Sequence, residues 1–206
     1  MRDRRLGLAL VALAFVVTAT VFPLLPAVVP IHWGGTGRPN GYAPRAWGAF
    51  AMPATVLLVF GVFEVIALLF PRASAVERFR ATYHRLQLAV TAFMFFMAMV
   101  VLRAQAGFPI DMNRTVWLGT GVLFVVIGNL LGKIPPNYLT GIRTPWTLRD
   151  PEVWLRTHRL GGFVFMGAGA LLCGSALLGG RNEVAYTVIA AAALIPAIYS
   201  FLIRRR

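Results

Sequence analysis

The sequence predicts an all-α membrane protein, a single domain over residues 1–206 built as a bundle of six transmembrane helices with cytoplasmic N- and C-termini. Three observations lead there. Of the 206 residues 58% are apolar and only 13% charged, whereas a soluble domain carries about 25% charged residues. Six apolar runs have the roughly 17–25 residues that a spanning helix needs. The basic residues that give the net charge of +13 sit in short clusters between those runs, as in loops that face anionic lipid headgroups.

The runs are Leu6–Leu25, Trp47–Phe70, Leu86–Leu102, Thr115–Leu131, Leu160–Leu178 and Val184–Ile203. Hydrocarbon offers no hydrogen bonds, so each segment must pair its own backbone groups, which makes these runs helices. Arg2, Arg4 and Arg5 precede the first run as they would in a secretory leader. Its apolar stretch is too long for one and lacks a small-x-small cleavage site, so it reads as a retained anchor.

Orientation follows from the arginines. With the N-terminus inside, the inner segments hold Arg2, Arg4 and Arg5, then Arg72, Arg78, Arg80 and Arg85, then Lys133, Arg143, Arg149, Arg156 and Arg159, then Arg204, Arg205 and Arg206. The outer segments hold only Arg38, Arg45, Arg103, Arg114 and Arg181. Positive charge resists translocation, so this bias places both ends in the cytoplasm. No long basic arm accompanies it, and direct nucleic-acid binding is not expected.

Two connections exceed tight turns: an outer loop over residues 26–46 and an inner loop over residues 132–159. In the inner one, Pro135, Pro136, Gly141 and Pro145 prevent a continuous helix, and Asn137 and Gly141 suit close turns. Residues 132–147 therefore read as an ordered irregular loop. Asp150-Pro151 then reads as an N-cap with proline at the first helical position, and Glu152 favours the positive end of the helix dipole. A helix starting there carries Trp154 and His158 on one face and runs on into the fifth span. Asn137, Tyr138, Arg143, Thr144, Trp146, Thr147, Trp154 and His158 are the candidate recognition residues, joined by Gly141 and Pro145. Their other reading is plainer: aromatic and basic side chains also tie loops down at a membrane surface.

This stretch resembles the signature of the SdpI-type immunity protein family. The resemblance is carried by Gly128-Asn129, Gly132-Lys133, Pro136-Asn137, the run Gly141-Ile142-Arg143-Thr144-Pro145-Trp146-Thr147, then Trp154, Thr157-His158-Arg159 and Gly161. The outer segment, with Pro26, Pro30, His32 and Gly37, is similar to a small domain of unknown function that often precedes that signature. Arg45 stands where the family often has a lysine. The resemblance implies a multi-pass protein of the bacterial inner membrane, not an enzyme, that confers resistance to a secreted membrane-active peptide toxin. It further implies a receptor role in which a small cytoplasmic repressor is held at the membrane. Besides the lipid bilayer, the implied partners are thus that toxin and that repressor.

Other chemistry has less support. The topology puts His32 outside and His84 and His158 inside, so the membrane divides any three-histidine metal site, and no H-E-x-x-H frame is present. No cofactor is expected, and no G-K-[ST] phosphate loop appears. Cys173 lies in an apolar run and reads as a packing residue. Glu64 is a carboxylate within a span, roughly 9 Å from its inner end at the usual helical rise. It is a functional candidate by default, or the partner of Arg85 or Arg143 in an ion pair, or a protonated acid hydrogen-bonded to a neighbour. His32, beside Trp33, faces an extracellular peptide, a lipid headgroup or solvent. The alternative function is a small transporter or permease for an amphiphilic or peptide substrate, although the spans offer few polar groups to line a path.

Overall fold

The computed structural model describes residues 2–69, 74–179 and 181–204. Six of its helices are long and apolar enough to cross a membrane, as the composition predicts. They are α1 (Arg2–Val21), α2 (Arg45–Leu69), α3 (Ser74–Gln105), α4 (Met112–Leu131), α6 (Pro151–Leu177) and α7 (Asn182–Leu202). A five-residue helix, α5 (Pro145–Arg149), stands between α4 and α6. Phe70, Arg72, Arg205 and Arg206, counted above in a span or a basic cluster, lie outside the described residues.

The helix starts follow local chemistry. The Asp150 side chain accepts from the N–H groups of Glu152 and Val153, with Pro151 at the first position of α6, so the cap read from the sequence forms. Asp111 does the same for α4, its Oδ1 accepting from the Arg114 N–H at 3.0 Å. Leu24, Leu58, Leu68, Phe163, Leu171 and Leu202 are exposed, which suits surfaces that meet lipid rather than water.

The outer segment expected as a loop is instead a β-hairpin. Strands β1 (Val28–Trp33) and β2 (Pro39–Pro44) pair antiparallel, with Val29 opposite Ala43 and irregular register around His32. Three prolines argue against a strand in most contexts. A two-stranded ribbon has only edges, and there a proline whose nitrogen faces away from the partner strand breaks no ladder.

The chain divides into two compact units. The first comprises residues 1–71 and 87–119, and holds α1, the hairpin and α2. Its core has one cluster of Val11, Val56, Phe60 and Ala98 and another of Leu25, Val29, Ala49 and Leu102. The hairpin is seated by buried Gln105, whose Nε2 donates to the carbonyls of Pro30 at 3.1 Å and Gly48 at 3.0 Å. The Asn113 side chain holds the hairpin tip by donating to Gly35 O at 2.8 Å.

The second unit comprises residues 72–86 and 120–206. Here α4 and α6 run antiparallel with their backbones in contact at two glycine pairs. A Cβ added at Gly128 would lie 2.7 Å from Gly162 O, and one at Gly121 would lie 2.7 Å from Gly169 O. The seven-residue step on each helix keeps both pairs on one seam. Small residues permit this approach, and dispersion across it replaces the hydrophobic drive that lipid removes. Cys173 packs against Gly121 at the same seam, a packing role for the lone cysteine.

Gly162→Leu is expected to destabilise the protein by roughly 1–3 kcal/mol through overpacking. Gly167→Ala, where an added Cβ meets nothing within 4 Å, should leave stability unchanged or higher. Thermal unfolding in detergent checks both, and equal stability of the two variants would remove the seam from the account.

Candidate functional site

The loop between α4 and α6 is a built object. As α4 ends, the N–H groups of Lys133 and Ile134 close turns onto Leu130 O and Leu131 O, and Pro135-Pro136 stop the helix. Asn137 then folds the next turn upon itself. Its Oδ1 accepts from the N–H groups of Leu139 at 2.7 Å and Thr140 at 2.8 Å, and its Nδ2 donates to Pro135 O at 2.8 Å. Gly141 follows at φ 111°, a left-handed backbone that only glycine adopts without strain. A side chain there would also run into the His158 ring.

Two residues of α6, one turn apart, pin this loop. Trp154 Nε1 donates to Ile134 O at 2.8 Å, and His158 Nε2 accepts from the Ile142 N–H at 3.0 Å. His158 Nδ1 faces Trp154 O at 2.9 Å. A ring nitrogen that meets a carbonyl must carry the proton, and one that meets an N–H must not. The partners therefore assign the neutral tautomer protonated on Nδ1. The two rings stack with centroids 4.0 Å apart and planes 16° from parallel. Both are buried, Trp154 at 0% and His158 at 1% exposure. Their role in this structure is to hold the two flanks of the loop.

The second half of the loop is tied to α7. Thr144 and Thr147 form a reciprocal capping box at the start of α5, with Pro145 in its first turn. Thr147 Oγ1 also donates to Ile142 O at 2.9 Å. Trp146 Nε1 donates to Ser200 Oγ at 2.6 Å, and its ring meets Phe201 edge-on at 5.3 Å. Ser200 is a partner that the sequence reading missed. A small hydroxyl in an apolar span, one turn from its end, is the signal it leaves.

What remains outward is small. Arg143 donates from Nη1 to Tyr138 O at 2.8 Å, and it is exposed with Pro145 and with Tyr138, which is 73% exposed. Of the candidate residues, Asn137, Thr144, Trp154 and His158 thus make contacts within the protein. Arg143 and Pro145 face outward, and Trp146 lies half-buried between.

His32 and Glu64 belong to the first unit. His32 is exposed, with Nδ1 2.5 Å from Asn40 Oδ1 across the hairpin. The ion pair expected for Glu64 forms, but with a different residue. Its Oε2 accepts from Arg4 Nε of α1 at 2.7 Å, in place of Arg85 or Arg143, and its Oε1 accepts from Gln87 Nε2 at 2.8 Å. Arg4 starts the first helix and Glu64 ends the second, so an antiparallel pair brings them together, a proximity that sequence distance conceals.

Six apolar helices joined by a hydrogen-bonded loop define a multi-pass membrane protein, and its relatives make it a bacterial one. The SdpI/YfhL protein family matches residues 133–203, and a domain of unknown function, DUF1648, matches residues 9–57. The chain is 24% identical over 172 residues to the immunity protein SdpI of Bacillus subtilis (strain 168), which covers 84% of this chain and 80% of that one. The resemblance to the SdpI-type family, carried in the sequence by the inner loop, is thereby shown. No solved structure matches the chain. Each family match falls within one compact unit, and the SdpI/YfhL match holds Ile134, Asn137, His158 and Ser200 together.

His158→Phe keeps the ring stack but leaves the Ile142 N–H without its acceptor. A lost buried hydrogen bond of this kind costs about 1–3 kcal/mol, so unfolding should occur at lower temperature and amide exchange at Ile142 should accelerate. Arg143→Ala should leave stability within about 0.5 kcal/mol, as exposed substitutions usually do. Unchanged exchange at Ile142 in His158→Phe would show that the histidine does not hold the loop.

Proposed function

We propose that this protein is an immunity and receptor protein of the bacterial membrane, with both termini in the cytoplasm. It confers resistance to a secreted membrane-active peptide toxin, and it acts by binding rather than catalysis. The observation that carries the reading is the loop held on α6 by Trp154 and His158, within the segment matched by the SdpI/YfhL family. A loop that orders its own backbone so completely presents a fixed surface, and loops on rigid scaffolds are where recognition concentrates. That surface comprises Tyr138, Arg143 and Pro145.

The proposed sensing route begins in the bilayer or at the hairpin around His32. It ends at the loop, through the Ser200–Trp146 bond that joins α7 to α5. Two conformations with different toxin affinity are required, since a ligand shifts an equilibrium only by its differential binding. In one of them the surface around Arg143 holds a small cytoplasmic repressor.

Survival tests this. A sensitive bacterium expressing the chain is challenged with candidate secreted peptide toxins, alongside Arg143→Ala and His158→Ala at matched membrane levels. The wild type should protect, and both variants should lose protection. Protection by Arg143→Ala equal to wild type would remove that residue from the mechanism, and no protection by the wild type would overturn the immunity reading.

A further inference from the structure

Arg149, at the end of α5, and Arg204, just beyond α7, line one cavity of about 280 Å³, walled by Trp146, Asp150 and Val153. Among the described residues, neither guanidinium has a carboxylate partner. The nearby acids are already engaged. Asp150 accepts from the first N–H groups of α6, and Glu152 pairs with Arg156. Arg204 is held in place, its Cζ 3.3 Å from the Phe201 ring centroid and 5.6 Å from that of Trp146. One of its N–H groups donates to Phe201 O at 3.0 Å, which leaves the rest of its fork for a ligand.

The cavity lining carries two guanidinium groups against the one carboxylate of Asp150, whose Oδ1 already caps α6, so its net charge is positive and an anion entering it is favoured. We propose that this cavity binds a phosphate group, presented either by the headgroup of an anionic phospholipid or by a soluble phosphate. The planar guanidinium fork matches phosphate oxygens bidentately. The volume is near the lower end of ligand sites, roughly 300–1,000 Å³, which suits a headgroup rather than a large solute. The cavity lies at the ends of α5, α6 and α7 beside a half-buried tryptophan, where basic pockets between spanning helices take lipid headgroups. A bound phosphate bridges Arg149 and Arg204, and so fastens α5 to α7 beside the Trp146–Ser200 bond. The proposal stands apart from toxin resistance and does not need it.

The test is binding of a fluorescent phosphatidylglycerol analogue to the purified full chain in zwitterionic detergent, with inorganic phosphate as competitor. Each glutamine removes charge-assisted hydrogen bonds to the phosphate, so Arg149→Gln and Arg204→Gln should each weaken binding at least about tenfold. Arg149→Lys, which keeps the charge and loses the fork, should lie between. Because Arg149 is exposed, its variants should melt like the wild type without lipid, which separates lost binding from lost folding. Displacement by millimolar inorganic phosphate supports a soluble ligand at this site; resistance to it supports the lipid. Equal binding by wild type and both glutamine variants, or equal weakening by Arg159→Gln outside the cavity, would overturn the site.

Discussion

A peptide group left unpaired in hydrocarbon costs several kcal/mol, and that cost governs this protein both where it is helical and where it is not. Within the six spans each helix satisfies itself. Between them the chain leaves helical geometry in two substantial places, and in each a side chain from an adjacent helix meets the freed backbone groups. Gln105 does so for the hairpin at Pro30, and its second bond, to Gly48 O, ties it to α2. Trp154 and His158 do so for the loop at Ile134 and Ile142. The irregular segments are therefore ordered by the helices, and the buried polar side chains that do this are tolerated because each has backbone to serve.

Close approach of helices follows from the same solvent. Lipid tails are as apolar as leucine, so helices gain nothing from simple apolar contact and must pack closely to associate. The Gly121–Gly169 and Gly128–Gly162 pairs bring α4 and α6 backbone to backbone. That seam delivers the start of α6 to the loop that follows α4, and it lets Trp154 and His158 reach back across to the chain that precedes them. The geometry of the loop depends on a glycine seam with no chemistry of its own.

Charge is handled locally. Glu64 is partly buried and meets both Arg4 and Gln87, so a carboxylate that would be costly alone in lipid joins three helices of the first unit. Among the described residues Arg143 donates to a carbonyl, and Arg149 and Arg204 form no ion pair. Unpaired arginines at the ends of apolar helices suit a surface that anionic groups approach.

The six spans were legible in the sequence, because length and hydrophobicity are local and an apolar run of about 20 residues pairs its backbone in lipid as a helix. The sequence by itself also determined the Asp150 cap and the position of the irregular loop, since proline, glycine and asparagine act on their own turns. Tertiary structure decided the rest. Prolines in an outer segment read as loop until β1 and β2 pair as a two-edged ribbon. The partner of Glu64 lies 60 positions away, where spacing carries no information. Trp154 and His158 share a helix face in the sequence, but only folding shows that this face turns inward, onto the loop's own backbone. Residue type declares which bonds a side chain is able to make; which neighbour receives them depends on how the helices pack.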